Sequence, residues 1–439
     1  MKISPARTAT FDILSRIETE SAFSSILLPE YEAKLSPRDR GLCHEIVLGV
    51  LRRKLFLDRM IALHSKAGKL DVPVRIALQI GIYQLLFLDR IPPHSAINES
   101  VNLVQRAKKT SAKGLVNAVL RRIAAEAPKL SFTTESERIS VETSHPEWLI
   151  AKWADDWGPD RAEKIVAANN KPSDIAFRFT LKGIKAFGGR QRSDELAERS
   201  GWKRSENAAG CWTNENGLND ELRQLAADSL IYFQDEASQM VAEVALKFAG
   251  GRIFDACAAP GSKTTAIAAG LWPEVRHIVA GDLHFQRVKF LRENCRRQEV
   301  GRVDFVQYDA TGTVVFEDGS FNVVLVDAPC TGTGTIRHNP EIRYSLAETD
   351  PETLSRKQLA ILRNASNLVE RGGMLVYSTC SLEPEENEAV IGAFLAEATG
   401  FRTVTPPVSE DFITPDRFVR TFPDRDGMDG FFIAVLTKE

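Results

Sequence analysis

At 439 residues the chain is too long for one ordinary hydrophobic core, so two or three domains are expected. Its 43% apolar and 26% charged residues are those of a soluble globular protein, and no apolar run reaches the ~18 residues of a membrane span. The net charge of −3 conceals an asymmetry: residues 1–130 hold 21 basic against 12 acidic groups, a balance of +9, while the remainder balances at −12. A basic module joined to an acidic one points to a polyanionic partner for the first.

The start, Met1-Lys-Ile-Ser-Pro-Ala-Arg, lacks the apolar stretch of a secretory signal, and a cytoplasmic location is expected. Six scattered cysteines without a closely spaced pair argue against a disulfide framework and against a zinc or other metal site.

Residues 1–130 read as helices. Phe11, Leu14 and Ile17 have helical spacing, and Ser36-Pro37 offers an N-cap followed by proline at the first helical position. Leu42, Ile46, Val47, Val50 and Leu51 form an apolar stripe, and a nearly unbroken apolar helix runs from Val74 to Leu88 before Pro92-Pro93. Arg106, Lys108, Lys109, Lys113, Arg121 and Arg122 cluster late in this bundle and are the candidate phosphate contacts.

Residues 131–165 read as a polar connection with a helix carrying Trp148, Trp153 and Trp157. Tryptophans can stack on bases, but helix packing is their commoner use. Residues 166–225 read as a small α/β subdomain, with a strand at 175–180 and a helix from Ser193.

From 226 to 439 strands and helices alternate, which predicts a parallel, doubly wound sheet with helices on both faces. Ligands in such sheets bind beyond the carboxyl ends of the strands. Asp282, Asp309, Asp327, Cys330 and Cys380 all fall at or just after predicted strand ends.

The turn at Cys257, Ala258, Ala259, Pro260, Gly261, Ser262 and Lys263 is neither a P-loop nor a G-x-G-x-x-G fingerprint, because Ser262 separates Gly261 from Lys263. Its small residues still admit a ligand to the backbone, and the helix starting near Ser262 turns its positive end there. Asp282, about twenty residues on, is placed to accept from ribose hydroxyls; the plainer use is to cap the next helix.

Asp255-Ala-Cys-Ala-Ala-Pro-Gly-Ser-Lys-Thr, Asp327-Ala-Pro-Cys-Thr-Gly-Thr-Gly and Tyr377-Ser-Thr-Cys-Ser-Leu-Glu-Pro-Glu-Glu-Asn-Glu together resemble the signatures of RNA cytosine-5 methyltransferases. Ala96-Ile-Asn-Glu-Ser-Val and Gly114-Leu-Val-Asn-Ala-Val-Leu-Arg-Arg are similar to the NusB-like RNA-binding domain. The combination resembles the bacterial ribosomal RNA small-subunit methyltransferase B family. Ser262 stands where that family usually has a second glycine, and Arg178-Phe-Thr replaces its more usual Arg-Val-Asn.

The resemblance implies an all-α NusB-like bundle, a small α/β subdomain and a Rossmann-like class I methyltransferase domain. It implies S-adenosyl-L-methionine as cofactor, held by Cys257 through Lys263 with Asp282, Asp309 and Asp327. It further implies Cys380 as the nucleophile on cytosine C6 and Cys330 as the group assisting release. Asp327 then shares a proton at cytosine N3, which asks for a raised carboxyl pKa, and the Pro329 carbonyl receives the exocyclic amine.

The expected product is 5-methylcytosine in small-subunit (16S) ribosomal RNA, made by a monomer. The same reaction on transfer RNA, and an idle RNA-binding factor with a retained fold, are the alternatives. Intact Cys330, Cys380, Asp327 and Asp282 speak against the idle factor.

Overall fold

The computed structural model describes residues 3–20, 22–65, 70–126, 129–271, 276–312 and 316–439. The chain divides into two compact units: one runs to Lys171 and takes in Ile336–Leu346, and the other holds Pro172–Thr335 and Ala347–Glu439. Among the described residues no helix is long and apolar enough to cross a membrane.

The first unit is helical. Its elements are α1 (Pro5–Glu20), α2 (Ser24–Glu32), α3 (Pro37–Arg52), α4 (Lys54–His64), α5 (Val72–Phe87), α6 (Pro93–Arg106), α7 (Lys113–Ala125), α8 (Glu135–Thr143), α9 (Glu147–Trp157) and α10 (Pro159–Ala168). The apolar α5 is central, as a helix without a polar face must be: Val74, Ile76, Leu78, Ile80 and Ile82 are all buried. α3 starts as its sequence predicts, with the Ser36 hydroxyl accepting from the Asp39 amide and Pro37 at the first helical position.

The stretch expected as a connection, 131–165, folds with this bundle instead. Its apolar residues Leu149, Ile150 and Trp153 share one face of α9 and are buried, with the Trp153 ring edge-on to His145. Trp153 is therefore a packing residue, not a base-stacking one.

Residues 336–346 join the bundle through buried polar groups. Arg343, fully buried, donates to the carbonyls of Thr143 and Ser144 and to the Asn170 side chain (2.9 Å), while Glu341 accepts from the Ser24 amide at 2.6 Å. Burial pushes the Arg343 guanidinium down to about 10.

The second unit begins with an antiparallel sheet in the order β2-β3-β1-β4, made of β1 (Ile175–Phe179), β2 (Lys203–Arg204), β3 (Cys211–Asn214) and β4 (Ile231–Phe233). Helices α11 (Leu181–Ala186), α12 (Arg190–Arg199) and α13 (Asp220–Ala227) accompany it, around a core of Phe177, Phe179, Trp202, Trp212, Leu222 and Ile231. Arg178 is buried and donates to Gln234 and Thr265, both at 2.8 Å, so its charge is engaged within the protein.

The main sheet follows: β5 (Ile253–Asp255), β6 (Ile278–Asp282), β7 (Val303–Gln307), β8 (Phe321–Asp327), β9 (Val369–Thr379), β10 (Phe401–Val404), β11 (Val419–Arg420) and β12 (Phe432–Lys438). Its helices are α14 (Glu236–Lys247), α15 (Ser262–Gly270), α16 (Phe285–Arg297), α17 (Ile342–Ser345, within the segment that joins the helical unit), α18 (Asp350–Asn367) and α19 (Glu388–Glu397).

The strand order is β10-β12-β9-β8-β5-β6-β7, with β11 paired to β12. The expectation of a wholly parallel sheet needs correction. β5 to β9 are parallel, but β12 runs antiparallel to both β9 and β10. The reason is the connection: β9 crosses over through α19 to β10, whereas the return from β10 to β12 contains no α-helix, so the chain reverses. Strand order switches between β5 and β8, the place where such sheets bind ligands.

Candidate active site

The carboxyl ends of β5, β6, β8 and β9 bring the predicted residues to one edge. Asp255, Asp282 and Asp327 are the last residues of β5, β6 and β8, and Cys380 follows the last residue of β9. β8 and β9 are paired in register through Asp327 and Ser378, and the Ala328 amide extends the pairing to the Ser378 carbonyl. That register sets Cys330 beside Cys380, with their sulfurs 3.3 Å apart and both residues half-buried. Gly334 seals the loop: a Cβ there would lie 1.9 Å from the Gly430 carbonyl oxygen and 2.9 Å from that of Cys380, so no side chain fits.

The two thiols do not share one environment. The hydrogen bond with Cys380, then burial, then the charge interactions with Cys380 and, after it, Glu386 push the Cys330 thiol well above its ordinary value. Near Cys380 stands a cation, Lys263. Burial acts to lower its ammonium, but Asp327, Cys380 and Asp255 outweigh that and raise it.

Lys263 Nζ lies 2.6 Å from Asp327 Oδ2 and over the Phe431 ring. Asp327 Oδ1 also accepts from the Ser378 hydroxyl at 2.9 Å. In this pair Lys263 is the donor and Asp327 the acceptor. The Pro329 carbonyl accepts from Gln358 at 2.9 Å, leaving one lone pair for another donor.

The cofactor turn is held at every point. Gly261 adopts a left-handed φ of 101° immediately before α15, a conformation that favours glycine. Asp282 accepts from the amides of Ala259 and His284, each at 3.3 Å, so it serves both the turn and the start of α16. Arg287 donates to the Ala259 carbonyl at 2.8 Å and pairs with Asp282 at 3.3 Å, which makes it the outer brace of the turn.

Asp309 follows β7, is exposed, and accepts from the amide and hydroxyl of Thr311, which hold its carboxyl below the usual range. Cys257 contributes its backbone to the turn; burial raises its thiol. This donor set suits S-adenosylmethionine. Carboxylates end neighbouring strands where ribose and amine donors need acceptors, and the amide-rich start of α15 faces an anionic group.

Several residues at the site carry no individual sequence signal. Asp255 is fully buried at the end of β5, accepts from the Thr264 hydroxyl at 2.6 Å, and is pushed up to about 7 by burial. Glu386 is fully buried between the two cysteine loops. The acid-rich run Glu383-Pro-Glu-Glu-Asn-Glu was the only hint, and it does not say which acid turns inward.

The basic candidates lie in the helical unit, at the end of α6 and along α7. Arg106 is bound by Asp12 through two hydrogen bonds of 2.6 and 2.8 Å, Lys109 pairs with Asp71 at 2.8 Å, and Arg121 donates to Asn117. Among the described residues no ion pair engages Lys108, Lys113 or Arg122.

A family model described as 16S rRNA methyltransferase RsmB/F matches residues 245–437. A NusB-family model matches residues 4–125, and a ferredoxin-like domain of RsmF/B-like methyltransferases matches 145–182. The probable ribosomal RNA small subunit methyltransferase B of Bacillus subtilis (strain 168) is 33% identical, with 100% of both chains covered. Ribosomal RNA small subunit methyltransferase B of Pseudomonas syringae pv. tomato is 34% identical over 98% of this chain and 96% of its own. Among solved structures, PH0851 superposes with a TM-score of 0.84 at 25% identity over all of both chains. NSun6 from Pyrococcus horikoshii, solved with SFG, gives 0.55 at 22% identity over 67% of this chain and 98% of that one, a likeness of fold.

Proposed function

Because this chain belongs to the ribosomal RNA small subunit methyltransferase B family, whose cofactor is S-adenosyl-L-methionine, we propose that it methylates C5 of a cytosine in small-subunit ribosomal RNA through a covalent bond to Cys380. The observation that carries this reading is the 3.3 Å approach of Cys330 and Cys380 beside the Lys263–Asp327 pair. A single thiol at a strand end is most often a small buried hydrophobe. Two in contact, in unlike electrostatic surroundings, are arranged for a division of labour.

Cytosine C5 is a poor nucleophile, so it must be activated first. The Cys380 thiolate adds its electron pair to C6, the C5=C6 π pair shifts into the ring, and a proton is shared at N3. A free thiol near pH 7 is only a few per cent thiolate, so the Cys380 proton passes to water before the attack. When bound, S-adenosylmethionine supplies the electrophilic methyl group. Cys330, once its own proton has passed to water, takes the C5 proton; the C–H pair restores the C5=C6 bond, and Cys380 leaves C6 with its own pair.

Asp327 and Lys263 orient the N3 edge, and the free lone pair of the Pro329 carbonyl receives the exocyclic amine. The target base must be unpaired or flipped out to reach these groups. The exposed Lys108 and Arg122 and the half-buried Lys113, with Arg121, are the proposed phosphate contacts.

The two cysteines give opposite phenotypes on this reading. Cys330→Ala is expected to accumulate a protein–RNA adduct that survives a denaturing gel, and Cys380→Ala to form none and transfer no methyl group. Sequencing the trapped RNA identifies the target. Normal turnover by Cys330→Ala would refute the release role, and an adduct in Cys380→Ala would refute the nucleophile.

A further inference from the structure

The buried carboxylate of Glu386 is not used by the mechanism above, yet it touches both of its sulfur-bearing loops. Oε1 accepts from the Thr331 amide and from Gln358 Nε2, each at 2.9 Å, and Oε2 accepts from the hydroxyls of Thr331 and Ser381. Thr331 follows Cys330 and Ser381 follows Cys380. One carboxylate therefore ties together the backbones that carry the two thiols.

The donors favour its ionised form. Both contacts on Oε1 come from N–H groups that can only donate, and the two hydroxyls on Oε2 can each give it their hydrogen. The Ser381 hydroxyl receives the Glu383 amide at 3.1 Å, which leaves its hydrogen available to Glu386. Burial pushes the Glu386 carboxyl up, and these hydrogen bonds offset part of that rise. Among the described residues no cation pairs with it, and it is fully buried.

An ionised carboxylate without a counter-ion is a costly way to join two loops, since a buried glutamine would make similar bonds at a much smaller desolvation cost. The retained charge acts on Cys330. The titratable groups around the pair are Glu386 and Tyr377, which interact with Cys330, and Lys263, which interacts with Cys380 and Asp327.

We propose that Glu386 is a positioning residue for the methyl transfer: it holds the two cysteine loops at contact distance, and its negative charge lies close enough to Cys330 to oppose loss of that thiol's proton. The assignment rests on the two-thiol reading. It predicts a fixed order, with Cys330 entering the reaction as a thiol that hydrogen-bonds the nucleophile, losing its proton to water after Cys380 is bonded to C6, and only then taking the C5 proton.

The test uses full-length Glu386→Gln, Glu386→Ala and Glu386→Asp. Alkylation of Cys330 by iodoacetamide is followed against pH, peptide by peptide, by mass spectrometry; kcat and KM for RNA are measured on the same preparations. Glu386→Gln keeps the shape and loses the charge, so the Cys330 midpoint is expected to fall by about one pH unit and kcat about tenfold, with KM little changed. Glu386→Asp, which keeps the charge, recovers the midpoint toward the parent; Glu386→Ala loses both bridge and charge and has the lowest kcat.

An unmoved Cys330 midpoint and an unchanged kcat in Glu386→Gln would overturn the proposal. So would a loss of activity explained wholly by a smaller folded fraction. A parent protein that neither methylates ribosomal RNA nor forms an adduct through Cys330→Ala would overturn the reading beneath it, and the positioning role with it. A competent parent beside an indifferent Gln variant would overturn only the role of Glu386.

Discussion

The cysteine site and the basic end of the helical unit use charge in opposite ways. At the site each charged group is enclosed and matched atom by atom: Lys263 to Asp327, Asp282 to two amides and Arg287, Glu386 to four donors. Along α6 and α7 the cations are exposed or half-buried, and those that are engaged are bound to single acids such as Asp12 and Asp71. Bond-making needs fixed positions, because a displacement of about 1 Å costs on the order of a hundredfold in rate. Holding a polyanion needs charge density, which survives movement of any one side chain.

The enclosed region should respond most strongly to single changes. Asp255 is held near pH 7 by burial, above the ordinary ~4 of an unfolded chain. Below pH ~4 both states keep the proton, so stability is at its full value there. Between ~4 and about 7 the unfolded chain gives the proton up while the folded one retains it, and stability falls as pH rises, by on the order of 3–4 kcal/mol. Asp255→Asn removes this dependence. It is expected to gain on the parent in urea unfolding at pH 8 and to match it near pH 4; an equal difference at both would mean that the carboxyl is ionised when folded.

A smaller effect is expected at the cofactor turn. Asp282→Ala frees the Ala259 and His284 amides and removes the proposed acceptor for the ribose, and should weaken S-adenosylmethionine binding by about ten- to a hundredfold in calorimetry. Unchanged affinity would take Asp282 out of the site and leave it a brace for α16.

The smallest single-residue effects belong to the basic end. Arg121→Glu with Arg122→Glu should weaken RNA binding and flatten the dependence of log K on log salt by about 0.7 for each lost contact with a single strand. Arg106→Glu, already bound to Asp12, should change that slope less. If Arg106→Glu flattens it as much, the pairing with Asp12 gives way to RNA and the contrast between engaged and free cations fails.

Much of this was legible in the sequence. Helical spacing and the Ser36-Pro37 cap located the bundle, and the strand–helix alternation placed Asp282, Asp327, Cys330 and Cys380 at strand ends. Trp153 and residues 131–165 were harder, because a helix with an apolar face looks alike whether it bridges domains or packs into one. The antiparallel β12 was hidden for a related reason: an apolar run declares a strand but not its direction, which depends on whether the chain crosses over or turns back. Gln358 had no signal at all, being an ordinary polar residue until its partners are known, and Thr331 had only its place beside Cys330 in the motif.

The sequence by itself determined the element types, the cysteine pair as the proposed chemical centre, and the family, because periodicity and short motifs are local properties of the chain. Only the tertiary structure decided that Lys263 meets Asp327, that Asp255 is buried to the point of a raised carboxyl, and that Glu386 rather than Glu383 or Glu385 joins the Cys330 and Cys380 loops. Those facts depend on distances between residues far apart in the chain, and on how much water is excluded around them. Neither exists until the sheet has closed its strands side by side.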